Sequence, residues 1–431
     1  MKKRKMIALA TVLALGLTAC GNTTETASNS KGEGFSPRLD TESSETLEIA
    51  GFMGNFEALD QVINSFNEIY PNVVFNYDHN TAYMLPEYLI NNGSVDIFMT
   101  NDQNIRDTSN VDYYVLDNCL DLSQEDLDIS AITPEILEDC TVDGKLVRLP
   151  IAMTTYGVVV NKTLLKNEGL SVPTNYEEFL SVLAALKEKG YTPLQGSQKF
   201  LYGELMVNMA MNLMADNEEL IGQLQSGDEA AAEAMKPVFE RLETIISNGY
   251  TDYDLNCTFP EDNYDGSILA FFEGDMPFYV CNAECVSGMK KRESKSETYS
   301  ANPFDYEFLY APVGDEGAYA YTKTWYGFSV SKNSDAKDMA VEFLRYMAAQ
   351  EQLEQMASIK GLPSVSINAK DERYTGIKKA KNIQESFCND GSVPSSIQSI
   401  FVQTCNDFGA GVYQNADEAA KAFVQQCGES K

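Results

Sequence analysis

Between Leu47 and Met99 the chain reads strand, helix, strand, helix, strand, and this run narrows the fold more than any other feature. Leu47-Glu48-Ile49-Ala50-Gly51-Phe52 alternates apolar and polar side chains, as a half-buried strand does. Behind Asn55, a good N-cap, Leu59, Val62, Ile63, Phe66, Ile69 and Tyr70 recur at spacings of three and four. That spacing predicts a helix with one buried face, stopped at Pro71-Asn72. Val73-Val74-Phe75-Asn76-Tyr77 reads as the next strand, Tyr83 to Asn91 as a second helix, and Val95-Asp96-Ile97-Phe98-Met99 as a third strand with the polar exit Thr100-Asn101-Asp102. Strands alternating with helices predict an α/β fold with a parallel sheet and right-handed crossovers.

The pattern continues. Gly144 to Pro150 predicts a turn and a strand, Tyr156 to Lys162 another strand, and Pro173-Thr174-x-x-Glu177 a capping box opening a helix from Tyr176 to Lys189. Helices are predicted over 206–214, 230–247, 268–275 and 336–349, and strands over 276–281 and 325–331. The methionines at helical spacing in 206–214 read as core. With 431 residues the chain exceeds what one hydrophobic core serves, so two lobes are expected.

Composition excludes several classes of function. The net charge of −32 argues against nucleic acid and against adsorption to anionic lipid. The single histidine, His79, ends a strand-like run with no nucleophile motif near it, so Ser/His or Cys/His catalysis has no support. Beyond Cys20 stand Cys119, Cys140, Cys257, Cys281, Cys285, Cys388, Cys405 and Cys427. In one reading Cys119 and Cys140 close a local loop and the last three pair among themselves; in the other they are free buried thiols. Cys281-x3-Cys285 lacks a second close pair for zinc. Asp252-x-Asp254-x-Asn256 fails as a calcium loop, because Cys257 stands where glycine is needed and Asn263 where the closing Glu belongs. No cofactor or metal is expected.

The first residues give an address. Lys2-Lys3-Arg4-Lys5 precedes an apolar run from Met6 to Leu17, too short to span a bilayer, which reads as a secretory signal. Nothing after Leu17 has the length and apolarity of a spanning helix. Leu17-Thr18-Ala19-Cys20 resembles the bacterial lipobox, which implies removal of residues 1–19, lipidation of Cys20 and attachment to the extracellular face of the cell membrane. Residues 20–46, rich in Ser, Thr, Gly and Glu, read as a flexible tether.

Four further motifs, in order, resemble the sugar-binding, maltose-binding-protein-like solute-binding proteins of bacterial ABC importers. Ser94-Val95-Asp96-Ile97-Phe98 is similar to the family's "PDIF" strand. Val147-Arg148-Leu149-Pro150 leading to Tyr156-Gly157 and Asn161-Lys162 is similar to "ALP…G…YNK". Phe271-Phe272-Glu273-Gly274-Asp275-Met276 resembles "F..GKAAM", and Trp325 to Lys332 resembles the family's late crossover. The resemblance implies a two-lobed periplasmic-binding-protein-like fold of type II, with ligand in the cleft and no enzymatic activity. It places one lobe over 47–153 plus 326–361 and the other over 157–323 plus 364–431, with crossings near Ala152 to Tyr156, Lys323 to Tyr326 and Gly361-Leu362-Pro363. The partners it implies are a small-molecule solute, a sugar first of all, and ABC permease subunits, with the receptor itself monomeric.

A sugar site needs aromatic faces against C–H surfaces and polar groups around hydroxyls. Asn55 and Phe56 at a strand-to-helix turn, and Asn101 and Asp102 at the end of a parallel strand, are candidates by position. The resemblance adds Thr154, Tyr156, Tyr202, Asn282, Glu284, Trp325 and Tyr326. In one respect the chain departs from the family: Asn282-Ala283-Glu284 stands where "G.W" is usual, so a carboxylate replaces a stacking ring. Glu284 there accepts paired hydroxyl hydrogen bonds, or neutralises a cation such as an amino sugar or polyamine, or lies one or two residues out of alignment in solvent. Binding of a cationic solute, amino acid or peptide is thus the alternative within the same architecture, and a lipid-anchored glycoside hydrolase is the alternative from another class.

Overall fold

The computed structural model describes residues 34–51, 57–77, 95–100, 115–215, 217–259, 264–369, 383–387 and 393–430. The signal segment, Cys20, Asn55, Phe56, His79, the helix expected over 83–91, Asn101, Asp102 and Cys388 lie outside these residues.

The first sheet has the predicted start. β1 (Thr46–Ala50) pairs in parallel with β2 (Val74–Tyr77) and β3 (Ile97–Thr100), Thr46 opposite Val74 and Ile49 opposite Ile97. Between β1 and β2, α1 (Glu57–Asn67) buries Leu59, Val62 and Phe66, the stripe its spacing requires. The chain then runs through α2 (Pro134–Asp139) to the short strand β4 (Leu149–Pro150). The chain is already packed before residue 46, where the tether was expected to end. The Arg38 backbone N–H donates to Glu342 at 2.9 Å, and its guanidinium pairs with Asp126 at 2.9 Å. A buried carboxylate acceptor thus fixes a segment whose composition alone reads as disordered.

A second sheet is built on β5 (Met153–Asn161), which starts three residues earlier than its periodicity suggests because Met153, Thr154 and Thr155 pair with a strand far along the chain. α3 (Tyr176–Glu188) follows, its cap shifted by one from the expected box: Asn175 accepts from the Glu178 N–H at 3.0 Å, and Glu178 accepts from Thr174. After β6 (Leu194–Gln195) come α4 (Leu201–Met214) and α5 (Ala230–Ser247). Then β7 (Phe278–Asn282) leads into α6 (Ala283–Glu293), followed by β8 (Tyr306–Leu309) and β9 (Ala318–Thr324). β5 runs antiparallel to β7, β8 and β9, placing Tyr156 opposite Asn282 and Thr154 opposite Lys323.

β10 (Gly327–Val330) returns to the first sheet between β3 and β4, Gly327 facing both Thr100 and Pro150. The strand expected over 325–331 therefore starts two residues late, at the change of sheet. α7 (Lys337–Met347) and α8 (Gln350–Lys360) pack with the first sheet, the Phe343 ring 5.0 Å from Phe66. β11 (Ile383–Phe387) joins the second sheet parallel to β9, and α9 (Ser395–Gly409) and α10 (Ala416–Glu429) complete its helical layer.

α4 is the pivot of the second core, with apolar residues buried on nearly every side. Its contact with α9 is close because both helices carry glycine at the crossing: a Cβ at Gly203 would overlap Val402, and one at Gly409 would overlap the Tyr202 ring. The seven cysteines among the described residues are all free, which settles those positions on the thiol side of the two readings. No helix among the described residues is long and apolar enough to cross a membrane.

Candidate functional site

Three passages of chain meet where the sheets join. Between β4 and β5 lie Ile151 and Ala152; between β9 and β10 lie Trp325 and Tyr326; and Leu362-Pro363 follows α8. They are stitched by hydrogen bonds from Ile151 N–H to Tyr326 O (3.3 Å), Trp325 N–H to Ala152 O (2.9 Å) and Met153 N–H to Pro363 O (2.9 Å). Beyond Pro363 the chain stays beside residues 131–133, since Thr133 N–H bonds Val365 O and Ile367 N–H bonds Ala131 O; it is next described in the second sheet at Ile383.

Beside this junction opens a cavity of about 750 Å³, within the range of roughly 300–1,000 Å³ usual for small-molecule sites. Its floor is one face of the second sheet. Thr154 and Tyr156 are two apart on β5 and so share a face, and their cross-strand partners Lys323 and Asn282 share it with them. Glu204 and Phe200 from the start of α4, Tyr264, Glu284, Trp325 and Tyr326 form the walls, and α9 supplies Gln398, Val402 and Asn406.

Most of the expected residues that the structure describes converge here: Thr154, Tyr156, Asn282, Glu284, Trp325 and Tyr326. Tyr202 does not. It is 1 % exposed and packs against Tyr253 and Gly409 in the core, because its position on α4 points it at α9 rather than at the cavity. Asn282 lines the cavity with its amide already committed: Oδ1 accepts from the Cys285 N–H at 3.2 Å to cap α6, and Nδ2 donates to Glu204 Oε1 and Tyr264 Oη, each at 3.0 Å.

Sequence reasoning missed Glu204, Tyr264, Lys323 and the α9 residues. Glu204 is 4 % exposed, and burial pushes its carboxyl up to about 8, with the Glu284 charge adding to the rise and the Asn282, Tyr264 and Lys323 contacts opposing it. Its Oε2, Thr154 Oγ1 and Asn406 Oδ1 are buried polar atoms of the cavity wall with no hydrogen-bond partner among the described residues. Glu284, on the first turn of α6, meets the cavity solvent yet is walled by protein. This enclosure raises its carboxyl, opposed by Lys323, the Trp325 indole beside it and Lys360. Lys323 donates to Gln398 Oε1 at 3.4 Å and lies 5.9 Å from the centre of the Tyr156 ring; Lys360 sits 5.5 Å from the Trp325 ring. Aromatic faces, amides and charges thus converge on a space sized for a small molecule.

Two α/β sheets with a cavity at their junction define the two-lobed architecture of periplasmic solute-binding proteins. Residues 89–384 match the family model of the bacterial extracellular solute-binding proteins, and the chain belongs to that family, whose members bind solutes and are not enzymes. No protein of curated function matches it in sequence. Solved structures share its fold. RafE in complex with raffinose is 16% identical with a TM-score of 0.66, over 89% of this chain and 99% of that one. The GacH receptor of Streptomyces glaucescens, solved unliganded and with acarbose, is 16% identical with a TM-score of 0.68, over 90% and 100%. A sugar transporter from Bacillus licheniformis in complex with stachyose is 18% identical with a TM-score of 0.62, over 88% and 98%. Identities this low establish the fold alone.

Proposed function

We propose that this protein is a lipid-anchored extracellular receptor that captures a carbohydrate between its lobes and delivers it to the permease of an ABC importer. The observation that carries the reading is the cavity itself. Tyr156, Phe200, Tyr264, Trp325 and Tyr326 offer ring faces, while Thr154, Glu204, Gln398 and Asn406 offer polar atoms. Stacking surface interleaved with hydrogen-bonding groups is what a polyhydroxylated ring requires. Similarity of fold to proteins solved with raffinose, stachyose and acarbose supports it. The lipobox-like Leu17-Thr18-Ala19-Cys20 supports the anchor.

A cationic solute fits less well. Lys199 and Lys323 line the same cavity, and the raised Glu204 carboxyl holds its proton at neutral pH. A thermal-shift panel of saccharides, polyamines and amino acids tests the choice. A ligand at 100 times its Kd adds about 2.7 kcal/mol of stability. Stabilisation by a saccharide recovered unchanged is the expected result; stabilisation by polyamines alone, or release of a shortened sugar, overturns the proposal.

A further inference from the structure

Resting on the carbohydrate reading, we propose that the site selects an acidic sugar, whose carboxylate is held between the Glu204 carboxyl and the Lys323 ammonium group on the cavity floor. The placement follows from strand register. Lys323 stands opposite Thr154 and Asn282 opposite Tyr156, so the four side chains share one face of the sheet, and Asn282 in turn holds Glu204. β7 and β9 flank β5 on its two sides, so Asn282 with the Glu204 it holds and Lys323 face each other across β5, and a ligand carboxylate lying over that strand meets both.

Glu204 has the form of a donor. Its Oε1 is the acceptor for Asn282 Nδ2 at 3.0 Å and for the Tyr264 hydroxyl at 3.4 Å. A protonated Glu204 therefore carries its proton on Oε2, the oxygen with no partner among the described residues. A protonated carboxyl gives one hydrogen bond, the Lys323 ammonium donates beside the one it gives Gln398, and a carboxylate accepts from both groups without offering a competing proton. The surroundings sharpen the contrast: in a chain of net charge −32, Lys199 and Lys323 line this cavity beside Glu204 and Glu284, and Lys360 flanks it at Trp325.

The charge state of the floor gives the binding a pH dependence of definite sign. The titratable groups around Glu204 are Tyr264, Glu284, Cys281, Cys285 and Lys323. Burial raises Tyr264, Cys281 and Cys285, which keep their protons through neutral pH; Glu284 is raised as well, against the pull of Lys323. A bound carboxylate favours the protonated Glu204. Affinity is therefore full below about pH 8 and falls as pH rises through that value.

Calorimetry of the purified protein with glucuronate, galacturonate and their oligomers, against the same saccharides lacking the carboxylate, tests the inference. Uronates are expected to bind at least fivefold more tightly, since a buried donor left unmade costs about 1–3 kcal/mol. Lys323→Met and Glu204→Leu should each lose at least that factor. Glu204→Gln, which donates from the same point but does not ionise, should weaken binding less than Glu204→Leu and abolish the fall above pH 8. Neutral saccharides binding as tightly as uronates, or Glu204→Gln losing as much as Glu204→Leu, overturns this inference and leaves the receptor reading standing. Absence of binding by every saccharide overturns both. An independent measurement needs no ligand: a Glu204 carboxyl carbon resonance, assigned by its loss in Glu204→Gln, that titrates near the ordinary glutamate value also overturns it.

Discussion

Glu204 is the residue whose chemistry departs furthest from its ordinary behaviour, and the departure reaches beyond binding into stability. Between the ordinary glutamate value of 4.5 and its raised value of about 8, the folded chain holds a proton that the unfolded chain has released. The contribution is thus fully present below about pH 4.5 and is lost as pH rises through about 8, so unliganded protein should lose stability over that window. Urea midpoints at pH 5, 6, 7 and 8 measure the slope, and Glu204→Gln should flatten it; an equal slope in both proteins would assign the dependence to other groups. This residue was legible in principle. In Leu201-Tyr202-Gly203-Glu204-Leu205-Met206-Val207 a lone carboxylate interrupts an apolar helix, and buried charge is expensive enough to call for a reason. Lys323 was not legible, since nothing in Tyr321-Thr322-Lys323-Thr324 tells that its strand pairs with residue 154 across half the chain.

At the scale of elements, periodicity was a good guide and carried the parallel pairing of β1, β2 and β3, but not the pairing of the second sheet. α1, α3, α5 and α7 lie close to where their apolar stripes put them, because a stripe at spacings of three and four has only one way to be buried. The break between β9 and β10 is set by which sheet each strand joins, a fact of tertiary pairing that leaves no local mark. That break is fastened by a buried ion pair. Asp139 at the end of α2 accepts the Thr324 N–H at 3.1 Å, with Arg148 beside it at 3.9 Å, and both side chains are 1 % exposed. Removing one partner of a buried pair strands the other charge, which costs about 3–5 kcal/mol. Asp139→Ala should lower the unfolding free energy by that amount in urea, whereas exposed Asp254→Ala should change it by no more than about 0.5 kcal/mol. A loss below 1 kcal/mol for Asp139→Ala would show that Arg148 is satisfied by its other contacts.

Among the described residues, the lobes of the molecule meet at three passages of chain. Three backbone hydrogen bonds link the passages at Ile151, Trp325 and Met153, and the apolar contact there is the small cluster of Ala152, Ala283 and Leu362 under Trp325. A junction of this kind absorbs rotation at a few residues while each sheet keeps its own core. We expect a bound saccharide to close the lobes, with free energy from contacts that exist only in the closed form. Moving the population from 1:99 to 99:1 requires about 10⁴-fold preference for the closed state, near 5.5 kcal/mol, which a few charge-assisted hydrogen bonds and one stacked ring supply. Small-angle scattering should then show a smaller radius of gyration at saturation. Trp325, the only tryptophan in the chain, reports the same event from the junction through its emission. Scattering and emission that both stay unchanged while calorimetry records saturation would mean that ligand enters a preformed site, and the passages at Ile151, Trp325 and Pro363 would then be rigid struts rather than hinges.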